Sequence, residues 1–276
     1  MRRRSPLLLA CVLVGELIIG AAVVAPGRSA APAAPTALVP LVAAGRTIQL
    51  NDLGGPHTGR LLSRVAADIA PAIDAVVAFW GADWSREISV VAAGSDEQFR
   101  TAAGGGSASQ WTDIAAVTVA DRVDAASRTA VGQRIVFAPG AATMSDGALR
   151  IVLSHELFHY AARVDTALDA PRWLTEGVAD FVARPRSPLP AGAGAAGSSL
   201  PSDQELDMPG PQRSQAYDRA WWFTRFVADS YGPDKLRQFY VATCGLGHAD
   251  VPSAIRDVLG TDAQGLLAGW QRWLDR

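Results

Sequence analysis

Two histidines and a glutamate stand close together near the middle of the chain, in the pattern His155-Glu156-x-x-His159. An α-helix completes one turn in 3.6 residues, so imidazoles four positions apart lie on one face and can bind the same ion. This spacing predicts half of a zinc site. Glu156 projects beside that face, where its carboxylate could act on a metal-bound water without being a ligand.

The residues around this pattern predict a buried helix. The stretch 150–160, RIVLSHELFHY, is apolar on nearly every side, as is typical of a helix inside a core. Burying two imidazoles and a carboxylate in such a core costs free energy unless a metal ion or hydrogen bonds satisfy these groups. Both a metal site and ordinary core histidines are therefore open readings, and the metal site is favoured because the full pattern seldom arises by chance.

The chain before this helix predicts strands and one long helix. Alternating apolar residues predict strands at 46–53, 114–120 and 134–138, and a short run rich in β-forming residues predicts another at 87–92. Residues 57–80 carry apolar residues at helical spacing, in one helix or in two divided near Pro71, and a short helix is predicted at 95–103. We expect a small mixed sheet whose edge borders the site, since an extended peptide can bind to such an edge through main-chain hydrogen bonds.

The chain after the motif predicts mostly helices. Pro171 interrupts the chain before a helix at 172–182, on which Glu176 and Asp180 share one face. Further helices are predicted at 216–229, 234–243, 252–259 and 262–274. Residues 185–211 are rich in proline, glycine, alanine and serine, so we interpret them as a mobile loop, either a lid or a segment in solvent.

The start of the chain carries the features of an export signal. An arginine triplet, an apolar run and a stretch of small residues follow one another within 1–33. The prediction is a signal peptide or a retained N-terminal membrane anchor, and in both cases an extracytoplasmic protein that is secreted or attached to the membrane. Residues 34–45, which include Pro35 and Pro40, predict a linker, and 46–276 a single folded domain.

Charge and missing motifs exclude several functions. The net charge of the 276 residues is -2, so no basic surface for nucleic acid is predicted. A phosphate-binding loop needs a lysine and a helix that starts directly after it, and the glycine-rich stretch 104–107 has neither. The sequence also contains no G-x-S-x-G elbow, so a serine hydrolase is not supported. His57 and His248 are isolated, and surface positions are predicted for both.

Two motifs together carry a resemblance to a known family. The first is the H-E-x-x-H stretch 155–159, and the second is WLTEGVAD at 173–180, which is similar to a W-L-x-E-G-x-A signature. The pair resembles gluzincin zinc metallopeptidases of the peptidase MA-like group. The resemblance implies an α+β fold with a thermolysin-like core, in which a small mixed sheet is followed by the zinc-binding helix and a helical C-terminal part, with the cleft between them.

The resemblance also implies roles for single residues. Glu176 is the expected third zinc ligand beside His155 and His159, which leaves a fourth position for water. Asp180 falls where relatives carry an aspartate that hydrogen-bonds a zinc-bound histidine, the alternative being a solvated surface carboxylate. Tyr217 resembles a tyrosine that donates a hydrogen bond to the oxyanion, the alternative being a tyrosine that only packs at an interface.

The activity implied is hydrolysis of a peptide or protein substrate with one zinc ion, Glu156 acting as general base. The G-x-M-E-N motif of the clan's aminopeptidases is missing, so an endopeptidase is expected. Two alternatives stay open. One is a non-catalytic zinc-binding interaction domain at the cell surface, against which Glu156 argues because ligation alone needs no glutamate there. The other is a hydrolase of non-peptide amides that uses the same site.

Overall fold

The structure is a computed structural model that describes residues 36–37, 39–111, 114–208 and 210–276. The predicted signal peptide or anchor at 1–33 lies outside the described residues. Among the helices that are described, none is both long and apolar enough to span a bilayer.

Short strands form a mixed sheet and a separate hairpin. In chain order the described strands are β1 (Thr36–Ala37), β2 (Leu41–Ala43), β3 (Arg46–Asp52), β4 (Glu87–Ala92), β5 (Ala116–Val119), β6 (Arg122–Asp124), β7 (Thr129–Val131) and β8 (Arg134–Phe137). The sheet has the order β1-β3-β4-β8-β5, with β2 paired to β3 on the same side as β1. Among the described strands, β6 and β7 form a separate two-stranded sheet.

Strand β5 is the last strand of the sheet, on the side of the helix that carries the H-E-x-x-H motif. Strands β3, β4 and β8 run parallel, whereas β5 pairs antiparallel with β8. Along β5, Val117 and Val119 belong to a small apolar cluster on one face of the sheet, while Ala116 belongs to the main core on the other. Thr118 shares the face of Ala116, because alternate residues of a strand point the same way.

Helices pack on the sheet and make up most of the C-terminal part. In chain order the described α-helices are α1 (Thr58–Trp80), α2 (Asp96–Ala102), α3 (Asp146–Ala162), α4 (Arg172–Ala183), α5 (Asp203–Leu206), α6 (Pro211–Tyr231), α7 (Pro233–Cys244), α8 (Val251–Ala254) and α9 (Ala263–Leu274). A π-helical turn, Ile255–Leu259, follows α8, and 3-10 turns occur at Ala108–Trp111, Pro139–Thr143, Arg163–Asp165 and Ala193–Ser198. The predicted α+β fold, with a small mixed sheet followed by helices, is confirmed.

Helix α3 runs through the middle of the core. It begins after Ser145, whose hydroxyl accepts a hydrogen bond from the backbone N–H of Ala148 and so caps the first turn. Phe158 packs edge-on against Trp80 of α1 and Tyr240 of α7, with ring centres 5.7 and 5.5 Å apart. The prediction of a buried helix around the histidine motif is therefore confirmed.

The sheet begins inside the segment predicted to be a linker. Within 34–45, strand β2 pairs along the first half of β3, where Leu41 lies opposite Ile48. Leu41 and Ala43 also pack against the main core. Helix α1, for which one or two helices were open, is continuous across Pro71.

Within the segment 185–211, helix α5 is anchored to the body of the protein. Leu206 is only 2% exposed, and Glu205 accepts a hydrogen bond from Arg219 of α6. Asp203 accepts a hydrogen bond of 2.8 Å from the backbone N–H of Trp173, a donor in the first turn of α4 that has no partner within that helix. Residues Asp203–Leu206 therefore form a short helix that contacts α4 and α6, where the composition predicts a loop.

Candidate metal centre

Helices α3 and α4 bring the three expected ligands together. The Nε2 atoms of His155 and His159 are 2.9 Å apart. Glu176 lies opposite, with Oε2 3.2 Å from His155 Nε2 and Oε1 3.8 Å from His159 Nε2. The three residues are 1–2% exposed, and they form a group that could hold a metal ion, as the sequence predicts.

The donor set fits a small divalent cation. Ligand atoms bound tetrahedrally to zinc lie about 3.3 Å from one another. The distances of 2.9, 3.2 and 3.8 Å among the three side chains bracket that value. Glu176 Oε2 is buried, and its 3.2 Å approach to His155 Nε2 does not meet hydrogen-bond geometry, so a bound cation would offset the cost of burying it.

The glycine of the second motif explains how Glu176 reaches this position. A Cβ atom on Gly177 would lie 2.7 Å from the carbonyl oxygen of Ala220, so only glycine lets α4 approach α6 this closely. The hydroxyl of Thr224 lies 2.9 Å from the carbonyl oxygen of Gly177 and 2.8 Å from that of Trp221, so its single proton is shared between the two acceptors. The neighbouring Glu176 is thereby held against α3 by the packing of its own helix.

Asp180 orients the first histidine. Its Oδ1 lies 2.9 Å from His155 Nδ1, so a proton on Nδ1 leaves the lone pair of Nε2 directed at the ligand group. Asp180 is 4% exposed, which contradicts the alternative of a solvated carboxylate. Without a metal, burial lowers the pKa of His155, but its contacts with Asp180 and Glu176 outweigh burial and raise that pKa to about 10. A bound cation would displace the proton from Nε2 and leave the one on Nδ1.

Glu156 lies beside the ligands and is held by strand β5. It is 1% exposed, and its Oε2 accepts a hydrogen bond of 2.7 Å from the hydroxyl of Thr118. That hydroxyl also lies 2.9 Å from the carbonyl oxygen of Glu156, so its single proton is shared between the two acceptors. Burial raises the pKa of Glu156, although His155, His159 and Thr118 oppose the rise.

Sequence reasoning missed Thr118. The available signal was weak, namely a hydroxyl residue inside an apolar strand on the face that packs against the main core. Its partner lies 38 positions further along the chain, and no local pattern predicts a contact of that range. Only the packing of α3 on β5 shows that this hydroxyl meets Glu156.

Tyr217 lies in the core on α6 and is 8% exposed. Burial raises its pKa well above the usual value, and the negative charge of Glu176 adds to the rise. The phenol is therefore neutral and keeps a proton to donate. Both predicted roles, donor to an oxyanion and tyrosine at a helix interface, are compatible with this position.

The remaining histidines lie apart from the centre. His57 is exposed, and His248 lies at the surface near Asp169, with 3.3 Å between His248 Nε2 and Asp169 Oδ1.

No protein-family model matches the chain, and no curated protein matches it. The family resemblance therefore depends on the two sequence motifs alone.

A cavity of about 690 Å³ lies on a different side of α6 from the centre. It is lined by Gln215 and Trp222 of α6 and by Gly192 from the preceding segment, whereas Ala220 and Thr224 face α4. None of the three ligand residues lines it. This cavity is therefore separate from the metal centre.

Proposed function

We propose that this chain is a zinc-dependent peptide hydrolase with a gluzincin-type centre. His155, His159 and Glu176 would hold one zinc ion. The observation that carries the proposal is the convergence of their ligand atoms within 4.8 Å beside a fourth buried side chain, Glu156, which ligation does not need. The chain order supports a thermolysin-like core: the sheet comes first, then α3 with the two histidines, then α4 with Glu176, and then the helical C-terminal part.

A zinc ion in this position would supply Lewis-acid activation of a water molecule and of the scissile carbonyl group. Glu156 takes a proton from the attacking water and returns it to the leaving amine as the C–N bond breaks. Its Oε1 is the atom suited to hold that proton, because Thr118 already occupies Oε2. Asp180 keeps the His155 proton on Nδ1 and so keeps Nε2 available to the metal.

The neighbouring sheet edge supports a peptide as substrate. Strand β5 pairs with β8 on one side and contacts Glu156 through Thr118. An extended peptide could pair with its main chain beside the base, which favours cleavage within a chain over hydrolysis of small amides. The phenol of Tyr217 would donate a hydrogen bond to the developing oxyanion. The predicted export segment 1–33 supports a substrate outside the cytoplasm.

Glu156→Gln tests the proposal. The variant is expected to bind one zinc ion per chain, as the wild type does, and to lose peptide hydrolysis by about 100-fold or more, because an amide cannot accept the proton. Zinc is measured by elemental analysis. Cleavage of a diverse peptide library, with and without chelator, is mapped by mass spectrometry.

Two results would contradict the proposal. Cleavage by Glu156→Gln at the wild-type rate would refute the role of Glu156. Cleavage by the wild type that is unaffected by chelator would refute the role of the metal.

A non-catalytic zinc domain at the cell surface is the second candidate. The observation in its favour is the burial of all three ligands, which structural zinc sites share. It predicts that the wild type binds zinc and that no peptide of the library is cleaved.

A further inference from the structure

Arg184 links the metal centre to helix α6. It lies one helical turn after Asp180, at the end of α4, and its side chain is 10% exposed. Its Nε is 3.2 Å from Asp180 Oδ2, and its Nη1 donates a hydrogen bond of 2.7 Å to Asp218 Oδ1. The guanidinium also lies over the ring of Trp221, 4.7 Å from the ring centre.

These contacts fix both oxygens of Asp180. Oδ1 faces His155 and Oδ2 faces Arg184, so the carboxylate plane has one defined orientation. A buried carboxylate with a single partner could rotate about its side-chain bonds, and the imidazole would then lose its orientation. Arg184 itself is held by Asp218 and Trp221, and its planar guanidinium is suited to binding two carboxylates at once.

We propose that Arg184 is a positioning residue of the metal centre, which orients His155 through Asp180 and thereby sets the affinity for zinc. The inference rests on the proposed zinc site and is independent of the proposed hydrolysis. A purely structural role, in which Arg184 only ties α4 to α6, makes a different prediction, because its effect would then not depend on Asp180.

A double-mutant cycle separates the two roles. Zinc affinity is measured by competition with a chromophoric chelator for the wild type, Arg184→Met, Asp180→Ala and the double variant. Partners of metal-bound histidines change metal affinity by about 10–100-fold, so we expect about 10-fold weaker binding for Arg184→Met and up to about 100-fold for Asp180→Ala. The double variant should equal Asp180→Ala, because Arg184 then has nothing to act through.

Two further variants control the experiment. Arg186→Gln removes a nearby, 70% exposed arginine that pairs with Asp229, and it should bind zinc like the wild type. Arg184→Lys keeps the positive charge and loses the planar guanidinium, so it should restore only part of the zinc affinity. This variant also provides the measurement if Arg184→Met does not fold. Circular dichroism of the metal-free proteins shows which variants are folded.

Several outcomes would overturn the inference. They are wild-type affinity in Arg184→Met, full restoration by lysine, and additive losses in the double variant. Absence of zinc binding by the wild type would refute the metal site itself. Zinc binding without peptide cleavage would refute the hydrolase alone and leave the role of Arg184 in place.

Discussion

Thr118 and Glu156 are paired at the point where strand β5 meets helix α3. The 2.7 Å hydrogen bond between them is buried, and it joins a hydroxyl to a carboxylate. A hydrogen bond to a charged group contributes about 1.5–3 kcal/mol, and the proposed mechanism uses this one to direct Oε1 of Glu156 at the attacking water.

Thr118→Val should therefore lower kcat by about 10- to 100-fold, since it removes the hydroxyl and keeps the shape of the side chain. Thr118→Ser should retain most of the activity. Steady-state kinetics on a peptide cleaved by the wild type gives the rates, and elemental analysis should give one zinc ion per chain in both variants. Equal kcat values for the valine and serine variants would show that the hydroxyl does not position the base.

At the scale of elements, the approach of α4 to α6 decides where Glu176 lies. The backbone of Ala220 leaves no room for a Cβ atom on Gly177, and Thr224 holds the same peptide group. A larger side chain at Gly177 would meet backbone atoms, which cannot rotate away as a flexible side chain can.

Gly177→Ala should destabilise the protein by about 1–3 kcal/mol through overpacking and should weaken zinc binding, because the two helices must separate. Gly147→Ala in α3 is a matched control, since nothing lies within 4 Å of the added Cβ and alanine favours a helix by up to about 1 kcal/mol. Denaturant unfolding measures the first effect and chelator competition the second. Similar free energies of unfolding for the two variants would contradict the packing argument.

At the scale of the whole molecule, a metal ion would join two helices in the core. The ligands come from α3, which packs on the sheet, and from α4, which packs on the C-terminal helices. A ligand that binds only the folded chain stabilises it by mass action.

At a zinc concentration about 100 times Kd, the added stability is about 2.7 kcal/mol. A domain of this size should then melt about 5–10 °C higher than in the presence of chelator. Differential scanning calorimetry measures the change, with His155→Ala as the control that should show almost none. An equal rise in His155→Ala would place the zinc elsewhere.

Local patterns in the sequence predicted most of the larger elements. Strand Glu87–Ala92 follows from its β-rich composition and helix α1 from its apolar spacing. Strands β1 and β2 and the hairpin β6–β7 were not predicted, because strands of two or three residues carry too little periodicity. Their pairing depends on partners that lie elsewhere in the chain.

The sequence by itself determined the candidate ligands, because helical spacing places His155 and His159 on one face and the resemblance of the second motif implies Glu176. Only the tertiary structure decided that Asp180 is buried against His155, that Thr118 holds Glu156, and that Arg184 joins Asp180 to α6. The reason is physical. Spacing within one helix fixes which side chains share a face, whereas contacts between elements depend on how their surfaces pack.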